Sequence, residues 1–140
     1  MIFPVLVNTS IFIFLSFLHV YWAMGGTRGT NAVIPVLEGD DKPFEPGPLM
    51  TLAVAAGLGI FAFIMIGNLD IFKAYVSLTF FKYATLVIGI IFSLRAIGDF
   101  KYIGFFKKTK GTLFAKNDTR YYSPLCLAIA FFCYLIFLIG

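Results

Sequence analysis

The sequence predicts an all-α, polytopic integral membrane protein: four transmembrane helices in an antiparallel bundle, with no sheet. Composition is the first reason. Of 140 residues, 60% are hydrophobic, 19% aromatic and only 13% charged, whereas soluble domains run at about 45–50% apolar and about 25% charged. With 18 phenylalanines and 7 tyrosines, a soluble chain this short would expose the large apolar patches that water-soluble monomers avoid. The second reason is length. A hydrocarbon core about 30 Å thick takes roughly 20 apolar residues as helix. Four stretches of about that size occur, near residues 2–24, 49–69, 74–98 and 121–140.

The first span, Ile2 to Met24, is interrupted only by Asn8, Thr9, Ser10, Ser16 and His19. No Lys or Arg precedes it and it is longer than the apolar region of a usual signal peptide, so it reads as a retained span. Loop one, residues 25–48, opens on Gly25 and Gly26 and carries four of the six prolines. Connections this long are commonly functional lids or else disordered, and "NAVIPVLEG" suits one short extended piece.

The second span begins "LMTLAVAAGLGIFAF". Ala53 with Gly57, and Ala55 with Gly59, stand at the small-xxx-small spacing that lets membrane helices approach closely. That pattern serves either packing inside the bundle or contact with a second copy or another membrane subunit. Loop two is short, so the second and third spans form a hairpin. The third span holds Lys82 and Arg95, separated by about 20 Å of helix. This is less than the apolar slab, so at least one of the two charges dips below the interface.

Loop three, residues 99–120, contains "GFFKKTKG", aromatics followed by lysines, which suits the headgroup region. In "YYSPLCLAIAFF" Ser123 suits a helix N-cap and Pro124 the first helical position. From Pro124 to Gly140 the helix would be about 25 Å long, just enough to span. Cys126 and Cys133 share a face but lie about 10 Å apart along the axis, too far for a disulfide.

Of the 11 Lys and Arg residues, all but Lys73 and Lys82 fall in or beside loops one and three. By the excess of positive charge on the cytoplasmic side, loops 25–48 and 99–120 face the cytoplasm and both termini lie outside. The net charge of +4 is spread beside apolar spans rather than along a basic stripe. Anionic lipid headgroups are therefore the expected counter-charge, and nucleic acid is not an expected partner.

Seven residues from three spans gather at the expected cytoplasmic end: His19, Trp22, Arg95, Asp99, Asp118, Arg120 and Tyr122. Arg95 and Arg120 would hold an anion, Asp99 and Asp118 would orient the arginines, and His19 and Tyr122 would donate hydrogen bonds. Polar groups converging inside apolar walls define a candidate pocket for a small anionic or amphipathic ligand, such as a lipid headgroup. A second reading makes His19 the general acid or base of an enzyme acting on a lipid or isoprenoid, since an imidazole exchanges protons near neutral pH. It requires His19 within hydrogen-bond reach of a carboxylate or tyrosine. A third makes the chain a structural subunit of a larger membrane complex. A single histidine rules out a bis-histidine haem within the chain, no Cys lies near it to complete a zinc site, and no cofactor is expected.

Taken together, "HVYWAMGG", "RAIGDFKYIGFFKK" and "FAKNDTRYYSPLCL" resemble a family of small four-span bacterial membrane proteins known only as a domain of unknown function. The resemblance covers nearly the whole chain. It implies four spans and a bacterial inner membrane, and it implies neither an activity nor site residues.

Overall fold

The computed structural model describes residues 2–26, 47–98 and 121–140. They form four helices: α1 (Ile2–Ala23), α2 (Pro48–Gly67), α3 (Leu78–Ile97) and α4 (Ser123–Ile139). There is no strand among the described residues. Three of the helices are long and apolar enough to cross a bilayer, and the fourth is a shorter apolar helix of 17 residues.

Each helix ends for a local reason. At the close of α1, Gly25 takes φ 97° and its N–H donates to the Trp22 carbonyl at 3.1 Å, while the Gly26 N–H donates to the Tyr21 carbonyl at 3.0 Å. This pair of bonds is a Schellman stop, which needs a left-handed residue that glycine supplies without strain. The double glycine that opens loop one is thus a helix terminator. Pro48 begins α2, where its missing N–H is no loss. The α2–α3 turn holds Asp70 at φ 66°.

Two boundaries differ from the sequence expectation. Helix α3 begins at Leu78 rather than near residue 74, because the Phe72 carbonyl accepts from the amides of both Tyr75 and Val76 at 2.9 Å, closing a turn. The Ser77 hydroxyl then caps the helix by accepting from the Phe80 N–H at 3.3 Å. Ser123 does not cap α4: residues 121–122 already coil as a π-helical turn, and Ser123 is fully buried inside the bundle.

The distribution of residues is the reverse of a soluble bundle. Phe17 (71% exposed), Leu138 (78%) and Phe131 (60%) face outward, while Asn8, Thr85 and Ser123 are fully buried. Only 28% of the apolar stretch of each long helix is buried. In water such an exterior would drive aggregation; against lipid tails it is matched. Since lipid is as apolar as the interior, the helices are held by close packing and interhelical hydrogen bonds rather than by hydrophobic transfer.

Helix α1 packs chiefly on α2 and α3 chiefly on α4. At mid-depth the Phe12 ring is wedged between Phe61 (centroids 5.7 Å) and Phe92 (5.5 Å), so three helices meet on one aromatic cluster. On the α1–α2 seam the Ser16 hydroxyl donates to the Ala55 carbonyl at 2.7 Å. The four small residues of α2 divide between two faces. Ala55 is buried, and a Cβ on Gly59 would lie 3.9 Å from the Ser16 hydroxyl; Ala53 is exposed, and a Cβ on Gly57 would meet nothing within 4 Å.

On the α3–α4 seam, Gly89 faces the Cys133 Cβ, 3.0 Å from where a Cβ would stand, and one turn on the Ser93 and Tyr134 hydroxyls share a hydrogen bond of 2.7 Å. A double-mutant cycle of Ser93→Ala and Tyr134→Phe is expected to give a coupling of about 0.6 kcal/mol, the usual size of such a bond inside a membrane bundle. Unfolding in mixed micelles measures it, and strictly additive single effects would show that the bond contributes nothing.

Candidate functional site

Helical geometry decides which polar groups point inward. Along α1 the interior stripe runs Val5, Asn8, Phe12, and two turns after Phe12 it reaches His19. Along α3 it runs Phe81, Thr85, Ile88, and two turns after Ile88 it reaches Arg95, beside the buried Ala96. Both residues are partly buried. His19 stands about 6 Å from the end of its helix and Arg95 about 3 Å from the end of its own. These are the ends that an antiparallel order brings together, and Phe12 and Phe92 already join the same two faces at mid-depth.

Nδ1 of His19 lies 2.7 Å from the Leu15 carbonyl one turn back. A carbonyl only accepts, so Nδ1 carries the hydrogen, and Nε2 is the acceptor of the neutral ring. Trp22 packs edge-on against the imidazole at 5.1 Å between centroids. Together these contacts fix the ring plane. No hydrogen bond joins His19 to a carboxylate or tyrosine among the described residues.

Arg95 occupies the last turn of α3, where a cation also favours the negative end of the helix dipole. Its Nη1 atom is shielded from solvent. Thr51 and Ser123, both buried, add hydroxyl groups at this end from α2 and α4, and Tyr122 stands partly buried just before α4. Thus every helix contributes at least one polar side chain to one end of the interior. Asp99, Asp118 and Arg120 lie outside the described residues, as does the bulk of the loop expected to cover them.

Two polar groups elsewhere carry little weight in the sequence yet organise the interior. Asn8 is fully buried, and its Nδ2 donates to the Ile129 carbonyl at 3.2 Å and to Cys133 Sγ at 3.4 Å, tying α1 to α4. Asn68 closes α2, donating from Nδ2 to the Ile64 carbonyl at 2.9 Å and to the Thr85 hydroxyl at 2.8 Å. Apolar runs this long make any Asn within or beside them a signal, because an amide must find partners there. Both cysteines are buried and neither forms a disulfide, and no cluster of His, Cys, Asp or Glu among the described residues is placed to hold a metal.

An apolar exterior, a polar interior seam and three helices of membrane-spanning length define a helical integral membrane protein. Residues 12–133 match the family described as "Protein of unknown function (DUF3995)", and the chain belongs to it. No curated protein and no solved structure matches the chain.

Proposed function

We infer that this membrane protein binds a small anionic or amphipathic ligand, such as a lipid headgroup, at the end of the bundle that carries Arg95 and His19. One observation carries the reading: Arg95 stands on the interior stripe of α3 with Nη1 shielded from solvent. A guanidinium is costly to hold at membrane depth, and such a charge is a functional-site candidate by default. Thr51, whose hydroxyl donates to the Gly47 carbonyl at 3.1 Å, and Ser123 and Tyr122 make the same end of the interior polar. His19, with Nδ1 committed to Leu15, reaches an anion through Nε2 as a donor only in its protonated form. The sequence reading adds Asp99, Asp118 and Arg120 to this site.

The test is mass spectrometry of species that co-purify with the full chain in mild detergent. A specific phosphate- or carboxylate-bearing species is expected with the wild type. It is lost in Arg95→Ala and partly kept in Arg95→Lys, which holds the charge without the planar fork. The same lipid profile in all three proteins contradicts the reading.

The reading also sets this end in the cytoplasmic leaflet, on the ground of the Lys and Arg excess in loops 25–48 and 99–120. Tyr75, 88% exposed in the α2–α3 turn, then faces outward. Because both native cysteines are buried, a thiol introduced as Tyr75→Cys is expected to react with a membrane-impermeant maleimide on intact cells. Labelling only after lysis reverses the orientation.

A further inference from the structure

The opposite end of the bundle carries a cavity of about 440 Å³, walled by Ile2, Leu69 and Leu78 and lined also by Asn68, Asp70 and Lys82. It lies at the mouth between the start of α1, the α2–α3 turn, the first turns of α3 and Gly140 at the end of α4. This volume is ample for a small polar headgroup with apolar walls beside it.

Its polar groups are of opposite sign and do not cancel. The Lys82 ammonium lies 5.1 Å from the centre of the Phe137 ring on α4, a cation–π contact. Asp70 sits across the turn in the left-handed backbone region, which Asp and Asn tolerate better than other side chains. No ion pair joins Lys82 to Asp70, or either of them to another described residue. Asn68 donates from Nδ2 to the Ile64 carbonyl and the Thr85 hydroxyl, which leaves its Oδ1 as an acceptor. One cavity is thus lined by a cationic, an anionic and an amide side chain.

From this arrangement we propose that the cavity takes a zwitterionic phosphoester-ammonium group of the phosphoethanolamine type, with its phosphate on Lys82 and its ammonium on Asp70 and Asn68 Oδ1. Two unpaired opposite charges facing one space are satisfied together by such a ligand. A simple anion would meet Asp70 as a like charge, and a simple cation would meet Lys82. This is a second site, in the leaflet opposite to Arg95.

A fluorophore on Tyr75→Cys, in the same turn as Asp70, reads this end alone. The full chain in mild detergent is titrated with short-chain phosphatidylethanolamine, phosphatidylglycerol and soluble O-phosphoethanolamine. Wild type is expected to prefer phosphatidylethanolamine over phosphatidylglycerol at least fivefold. Lys82→Gln weakens both lipids, and Lys82→Arg restores them. Asp70→Asn, which keeps a residue suited to the backbone there, erases the preference by weakening phosphatidylethanolamine alone. Competition by O-phosphoethanolamine at equal concentration identifies the source as a free phosphoester, and its failure to compete identifies a membrane lipid. A preference for phosphatidylglycerol, or one that Asp70→Asn leaves unchanged while circular dichroism shows native helix content, overturns the proposal.

Discussion

Phe12→Ala is expected to lower the stability of the bundle by about 2 to 4 kcal/mol. Phe12 has no solvent exposure and is the ring on which α1, α2 and α3 converge, through Phe61 and Phe92. In a soluble core this truncation costs about 3 to 5 kcal/mol, from lost transfer energy and from the cavity left behind. Lipid is as apolar as the interior, so the transfer part shrinks and the cavity with its lost dispersion contacts remains. Phe14, on the outward face of the same helix and 66% exposed, is the control. Phe14→Ala is expected to change stability by less than about 0.5 kcal/mol. Unfolding titrations in mixed micelles compare the two, and equal effects would mean that the aromatic cluster does not hold the helices together.

Gly67→Leu is expected to be at least as damaging, by about 3 kcal/mol, and for the opposite reason. Gly67 closes α2 against α3, and a Cβ there would collide with the Phe81 ring. That ring cannot retreat: Phe63, Phe72 and Phe80 surround it at centroid distances of 5.8, 6.2 and 5.5 Å. The hairpin must therefore splay, pulling Asn68 away from Thr85, which now hold each other at 2.8 Å. Gly57→Leu, ten residues earlier where a Cβ meets nothing within 4 Å, is expected to leave the stability of the bundle unchanged. The same unfolding titration separates the two glycines, and a wild-type midpoint for Gly67→Leu would show that α2 and α3 pack differently.

The fold class was legible because membrane helices announce themselves by apolar length, and the four runs coincide with the four helices to within a few residues. What apolar length hides is the direction of burial. Phe12 and Phe14 are the same residue type on one helix, and only geometry separates an interior wedge from a lipid contact. The polar residues mark the interior better: Asn8, Thr85 and Ser93 all point into the bundle or its seams. The late start of α3 was also readable, since Ser77 is a natural cap before the apolar run.

The candidate site was legible in part. His19 and Arg95 fall at heptad spacing from Phe12 and Ile88, so their inward direction follows from the sequence once the interior stripe is known. The pairing of Nδ1 with Leu15 does not, because it depends on one rotamer. The cavity at Lys82 and Asp70 escaped the sequence for a different reason. Its walls come from α1, the α2–α3 turn, α3 and Gly140 at the end of α4, and no local pattern signals a space that only tertiary packing creates. Lys82 itself entered the sequence reading only as a positive charge setting orientation and limiting the length of its span.

The ligand-binding account stands most directly on what Arg95 does to an anionic amphiphile. Titrating the full chain in mild detergent at low salt with short-chain phosphatidylglycerol, and counting bound lipid by native mass spectrometry, reads this without knowledge of the natural ligand. A charge-assisted hydrogen bond contributes about 1.5 to 3 kcal/mol, so Arg95→Gln is expected to weaken binding by at least about tenfold, with Arg95→Lys between it and wild type. Equal affinities for the three proteins, each with native helix content, would contradict the account and leave Arg95 as a purely structural charge.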